Sequence, residues 1–212
     1  MADYPVNLRL AGRRCLVMGG GAVAERKAKS LLAAGAAVTV LSPGVTPSLA
    51  AMAADGRISH IPAVYTEGVI EDFFIVICAT DDVGVNRRAA KEARARGALV
   101  NVVDAPDLGD FTVPACISRG DLLVAVSTGG KSPALARRLR EELEARYGPE
   151  YGMFLAVLSR LRAEMKERLA TAEERGDFWR EALGEDVLAL LKAGDVGAAE
   201  EKIKYAATRF GA

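Results

Sequence analysis

Residues 15–28 read Cys-Leu-Val-Met-Gly-Gly-Gly-Ala-Val-Ala-Glu-Arg-Lys-Ala. A short apolar run enters a glycine cluster, and the cluster opens directly into a helical pattern. Gly19, Gly21 and Ala24 stand at the positions of G-x-G-x-x-G/A. In that pattern the first glycine makes a tight turn and the second lets backbone approach a pyrophosphate. The third small residue lets a helix pack close to its strand. Phosphates would sit on the unpaired amides of the helix N-terminus, here Gly21, Ala22 and Val23, where the macrodipole favours negative charge. The alternative is a glycine-rich turn with no ligand. A preceding strand, a following helix and a second strand after Gly35 favour dinucleotide binding.

Three further polar loops follow strand-like runs: Ser42-Pro43-Gly44, Thr80-Asp81-Asp82 and Asp104-Ala105-Pro106. In open α/β sheets ligands bind outside the carboxyl ends of the strands, so these loops and the glycine turn line one cofactor cleft. The second strand would ordinarily end in Asp or Glu to hold the ribose hydroxyls, and Ser42 stands there instead. A serine can still bond a ribose, and no Arg or Lys lies between Thr39 and Ala54 to attract a 2′-phosphate. NAD is therefore favoured over NADP, with Ser42, Pro43 and Gly44 on the adenosine side and Thr80 across the cleft. Asp104 follows Val100-Asn101-Val102-Val103 and is the candidate acid/base, with partial desolvation to tune it. Its other reading is a turn former before Ala105-Pro106. Asp81 and Asp82 read as helix caps.

Thr128, Gly129, Gly130 and Lys131 precede Ser132-Pro133, an N-cap with proline at the first helical position. A Walker A motif needs glycine at 125, and Ala125 stands there, so nucleoside triphosphate hydrolysis is excluded. An anion-friendly helix start remains, with Lys131 beside it and Arg137 or Arg138 farther along; its plain reading is a capped turn. The face with Arg87, Arg88, Lys91, Arg94 and Arg96 reads as solvated surface, and His60 as structural.

The elements that must position these residues alternate. Strands are expected at 14–18, 37–41, 58–61, 74–79 and 98–103, and helices at 23–34, 47–54 and 85–96. That order implies right-handed βαβ units and a parallel sheet. Residues 111–118 and 122–127 read as a hairpin, an antiparallel addition. Helices follow over 134–147, 154–174, 177–183, 186–193 and 196–210, with a break at Gly148-Pro149. Boundaries fall near 113 and 148.

The chain has 212 residues, 50% of them apolar, with 28 basic and 28 acidic side chains in balance. Balanced charge recruits neither nucleic acid nor an acidic membrane surface. The apolar run at 73–79 is far too short to span a bilayer, and residues 1–14 hold no secretory apolar core. Cys15, Cys78 and Cys116 sit in separate apolar runs and read as buried reduced thiols of a cytoplasmic protein. A single histidine without C-x-x-C gives no metal site of His and Cys.

Taken together, Gly19-Gly20-Gly21-Ala22-Val23-Ala24-Glu25-Arg26-Lys27, Ala79-Thr80-Asp81-Asp82, Asn101-Val102-Val103-Asp104-Ala105-Pro106 and Gly129-Gly130-Lys131-Ser132-Pro133 resemble the siroheme-synthase dehydrogenase/chelatase module in order and spacing, over essentially the whole chain. The resemblance implies an NAD-binding Rossmann domain at 1–113, a small α/β dimerisation domain at 114–148 and a helical domain at 149–212. It also implies an interlocked homodimer that shares its active site. The family oxidises precorrin-2 to sirohydrochlorin with NAD, and bifunctional members then insert ferrous iron. Asp104 matches the family's proposed catalytic aspartate, and Thr128 a substrate-binding position that is serine in some relatives. Some relatives carry a fused methyltransferase domain; a chain ending at Ala212 leaves methylation to another protein. The competing class is a regulatory module that senses NAD without chemistry. Such a sensor needs the glycine turn but neither Asp104 at the cleft nor a second anion-friendly loop.

Overall fold

The computed structural model describes residues 3–169 and 171–209, in two compact units, 1–113 and 114–212. In the first, five strands form an all-parallel sheet: β1 (Arg14–Met18), β2 (Ala37–Leu41), β3 (Ser59–Ile61), β4 (Ile75–Cys78) and β5 (Leu99–Val102). Their order is β3-β2-β1-β4-β5. The chain builds outward from β1 to one edge, returns, and builds outward from β4 to the other. The switch point therefore lies between β1 and β4. All four residues of β4 are buried and four of five in β1, the apolar pattern of strands covered on both faces.

Three helices cover the sheet: α1 (Ala22–Ala33), α2 (Pro47–Ala54) and α3 (Val83–Ala95). The inner face of α1 is Ala24, Ala28 and Leu31, and that of α3 is Asn86, Ala89, Ala90 and Ala93. Side chains this small let the helix axes approach the strands closely. Two apolar cores result. One holds Val17, Val40, Leu49 and Ile77 with Ala24 and Ala28; the other holds Leu16, Ile70, Val76 and Val100 with Ala89 and Ala93.

The second unit begins with β6 (Ala115–Arg119) and β7 (Leu122–Val126), paired antiparallel across Gly120-Asp121. The hairpin makes a sheet of its own and is not an addition to the parallel sheet. Helices α4 (Pro133–Arg146), α5 (Pro149–Arg168), α6 (Ala172–Ala182), α7 (Glu185–Lys192) and α8 (Val196–Arg209) follow. The expected helix over 154–174 is two helices. Thr171 and Glu174 form a reciprocal capping box that restarts the chain as α6, and Pro149 sits in the first turn of α5. The sequence signal was present as Thr171-x-x-Glu174. Residue 210, included in the last expected helix, lies outside the described residues. Phe154, Val157, Leu161 and Met165 make one stripe of α5 and pack with Phe178, Leu191 and Ile203. The hairpin and α4 bury little: Ile117 and Ala136 are their buried side chains, while Leu123, Leu135 and Leu139 stand exposed.

Of the three cysteines, Cys15 and Cys78 are buried, and burial pushes the Cys78 thiol up to about 12. Cys116 is exposed, contrary to expectation. In a two-stranded sheet only one face is covered, and Ile117 takes that face.

Candidate functional site

The carboxyl ends of β1, β2, β4 and β5 open on a cavity of about 460 Å³, a size suited to a small ligand. Gly19, Gly20, Gly21, Ala22, Val23, Ser42, Pro43, Thr80 and Asp104 line it, with Asp81, Asp82 and the 63–65 loop. Every expected cofactor residue except Gly44 is in that lining.

The glycines differ in what requires them. Gly19 has φ +112°, and a Cβ there would stand 2.3 Å from the Ala79 carbonyl oxygen. At Gly20 a Cβ would stand 1.8 Å from the Gly44 carbonyl oxygen. These two are dictated by the protein's own backbone. A Cβ at Gly21 would meet nothing within 4 Å. Gly21 is the N-cap of α1 and supplies no side-chain cap, whereas Thr46 caps α2 and Asp82 caps α3. The first-turn amides of α1 thus face the cavity without a side chain in front of them. These amides could hold a pyrophosphate, and packing alone does not demand the glycine at 21.

Ser42 is buried and its hydroxyl donates to Gly44 O at 2.7 Å, while His60 Nε2 lies 3.0 Å from Ser42 O. The donor expected for a ribose is therefore committed. The Ser42 oxygen keeps a lone pair to accept from a ribose hydroxyl. Gly44 works from behind the cavity wall as the acceptor for Ser42. His60 has the structural role expected of it. No Arg, Lys or His of the described residues lines the cavity.

Across the switch point, Thr80 is held by one side chain that sequence reasoning missed. Asn86, buried on α3, donates from Nδ2 to Thr80 O at 2.8 Å and accepts from the Thr80 hydroxyl at 2.7 Å. An Asn at the fourth position of a helix facing a loop is the signal, but a helix pattern alone does not say which loop. Tyr65 was also missed: it lines the cavity and donates to Glu92 Oε2 at 2.7 Å. Burial, then the bond to Glu92, pushes its phenol well above the usual range.

Asp104 is exposed in this chain, so the expected desolvation is not supplied by its own unit. Its backbone is distinctive: φ is +64°, the one positive value outside glycine among the described residues. Asp tolerates the left-handed region better than most side chains, yet such a conformation persists only where surroundings over-determine it. Here Val103 N donates to Cys78 O at 2.9 Å. Downstream, Arg94 clamps Asp110 through Nε at 2.7 Å, and Asp110 accepts Val100 N at 2.9 Å. Arg94, expected to be merely solvated, ties down the segment after Asp104.

In the second unit, Thr128 closes its loop. Its hydroxyl accepts Ser132 N at 3.2 Å and donates to Ser132 O at 3.1 Å, and the Ser132 hydroxyl caps Leu135 N at 3.2 Å. Gly129 and Gly130 have φ +58° and +74° and open space where a Cβ would stand. Lys131 is exposed, while Arg138 is paired with Glu142. Among the described residues no group of His, Cys, Asp and Glu is arranged for a metal ion, and no helix is long and apolar enough to cross a membrane.

Parallel sheet, switch-point cavity and open helix start together define an NAD(P)-binding protein of the Rossmann type. Three family models match in succession: an NAD(P)-binding domain over residues 6–115, the central region of sirohaem biosynthesis proteins over 119–146, and the sirohaem synthase dimerisation region over 150–206. The chain belongs to the siroheme-synthase family. It is 44% identical over 192 residues to a siroheme synthase of Methylobacillus flagellatus, covering 89% of this chain and 41% of that protein. It is 41% identical over 206 residues to a siroheme synthase of Thioalkalivibrio sulfidiphilus, covering 97% and 42%. The chain thus spans about two-fifths of the length of these relatives. A solved structure titled SirC, precorrin-2 dehydrogenase, superposes with a TM-score of 0.76 at 28% identity, covering 96% of this chain and all of that one. The region named for dimerisation matches the stretch expected as the helical domain, and the central region the stretch expected to dimerise.

Proposed function

We propose that this chain is an NAD-dependent precorrin-2 dehydrogenase of siroheme biosynthesis. The observation that carries the reading is the cavity, where an open helix start and a strained Asp104 occur together. A purely sensory NAD module needs no carboxylate at that cavity. Support also comes from the neighbour of matching length titled precorrin-2 dehydrogenase.

When bound, NAD supplies the hydride acceptor. Oxidation of the substrate releases a hydride from one carbon and a proton from another position. In this reading the amides of Gly21, Ala22 and Val23 bind the pyrophosphate, Ser42, Pro43 and Gly44 support the adenosine side, and Thr80 forms the opposite wall. The Asp104 carboxylate takes the proton and favours the cationic character that develops as hydride leaves. The loop of Thr128, Gly129, Gly130 and Lys131 supplies amides and a cation for a substrate carboxylate. The division into domains at 1–113, 114–148 and 149–212 belongs to the same proposal, as do cytoplasmic residence and assembly as a homodimer.

The test is direct. Precorrin-2 and NAD are added to the pure protein, and the tetrapyrrole spectrum and the absorbance of reduced nicotinamide are followed together. Stoichiometric conversion to sirohydrochlorin supports the reading. NAD binding without turnover points to the sensor. Ferrous iron insertion is proposed as a second activity using Asp104 to collect pyrrole protons. Addition of ferrous iron to the product mixture, with and without protein, reads it out.

A further inference from the structure

Glu25 stands in the first turn of α1, one turn behind the amides assigned to the pyrophosphate. A carboxylate there repels a phosphate, so its presence calls for a reason. Its contacts supply one. Glu25 Oε2 accepts from the Thr46 hydroxyl at 2.6 Å, and its other oxygen pairs with Lys29. The same Thr46 hydroxyl accepts Leu49 N at 3.2 Å as the cap of α2, and Thr46 N donates to Gly20 O at 2.9 Å. Gly20 in turn lies against Gly44 with no room for a Cβ. One residue after β2 thus grips the glycine turn by its backbone and the helix behind that turn by its side chain.

We propose that Glu25 and Thr46 act as a pair of positioning residues, holding the glycine turn against the loop after β2 and thereby setting dinucleotide affinity. The pair joins the glycine turn after β1 to the loop after β2, both at the carboxyl edge of the sheet and on the side assigned to the adenosine half of the cofactor. Neither residue lines the cavity, so the effect is transmitted through loop geometry. Lys29 pairs with Glu25 and so weakens the repulsion its carboxylate exerts at the phosphate site.

The inference rests on the cofactor reading of this cavity, so the wild-type protein is titrated with NAD first; no binding there overturns that reading and this one with it. With wild-type binding established, Thr46→Val, Glu25→Ala, the double variant and Thr46→Ser are titrated with NAD and melted in parallel. Each of the first two should weaken NAD by about tenfold, and the double variant by clearly less than their product, because both break the shared Glu25–Thr46 bond. Thr46→Ser keeps the hydroxyl and should restore wild-type affinity. A pair that is only structural would lower the melting temperature and leave the affinity of the folded protein unchanged. Unchanged NAD affinity, or fully additive losses, overturns the proposal.

Discussion

At the scale of single residues, Gly21 and Asp104 can be separated from their neighbours by what the fold does and does not demand of them. Gly19 and Gly20 are imposed by backbone contacts, whereas Gly21 has open space in front of it. Gly21→Asp should therefore leave the melting temperature near wild type and abolish NAD binding, because a charged side chain occupies the phosphate position. A calorimetric titration checks it, and unchanged affinity would remove the pyrophosphate from that turn. Asp104→Asn keeps shape and suits a left-handed turn at least as well as Asp, so folding should be preserved. If Asp104 is the base, dehydrogenation falls by about 10²–10⁴-fold while NAD affinity holds. An Asn variant with full activity would make Asp104 a turn residue and nothing more. Glu25 gives a pH signature. The bond from Lys29, then those from Thr46 and Ser48, pull its carboxyl down from 4.5 to about 2. The folded value lies below the unfolded one. Its stabilising contribution is therefore complete above about pH 4.5 and is lost as pH falls through about 2. Denaturant melts of Glu25→Gln should show a shallower loss of stability across that window than wild type.

At the scale of elements, α3 does more than cover the sheet. Asn86 holds Thr80 by backbone carbonyl and hydroxyl, and Arg94 holds the chain after β5 through Asp110 and Leu108 O. Two cavity loops are thus set by polar contacts from one helix. Asn86→Ala takes the partner away from the half-buried Thr80 carbonyl and hydroxyl. The expected cost is about 1–3 kcal/mol in chemical denaturation, with a raised KM for NAD. A variant that loses stability but keeps its KM would make Asn86 structural only. The strands and α-helices of the first unit were legible from the sequence, because apolar, often β-branched runs alternate with alanine-rich helices; the short 3₁₀ turn Pro106–Leu108 was not. β1, β2 and α2 begin and end where the residue pattern indicates. The long helix was misread because Ala and Glu, both helix formers, fill 170–174 around Thr171, whose cap marks the restart.

At the scale of the molecule, the second unit leaves Leu123, Leu135, Leu139 and Met153 in solvent. Leu135 and Leu139 lie one turn apart on α4, the spacing of a helix seam. A homodimer would cover such a surface, and light scattering should then report about twice 22.4 kDa. Leu135→Glu with Leu139→Glu should give a folded monomer, since both side chains are already exposed in the single chain. A wild-type monomer with full dehydrogenase activity would overturn the dimer.

Local spacing by itself determined the order of strands and helices, the glycine turn, the cap Ser132, a cap at Asp81 or Asp82 that the structure assigns to Asp82, and the position of Asp104 after its strand. Each depends on neighbours within a turn or a strand, and that information is local. Tertiary structure decided the rest. The bond of Thr46 to Glu25 joins residues 21 apart, and that of Arg94 to Asp110 joins residues 16 apart. Which glycine is free to meet a ligand, that the Ser42 hydroxyl is already spent on Gly44, and that Cys116 faces outward are decided by the same means. These are properties of what the folded backbone brings alongside, and no periodicity along the chain encodes them.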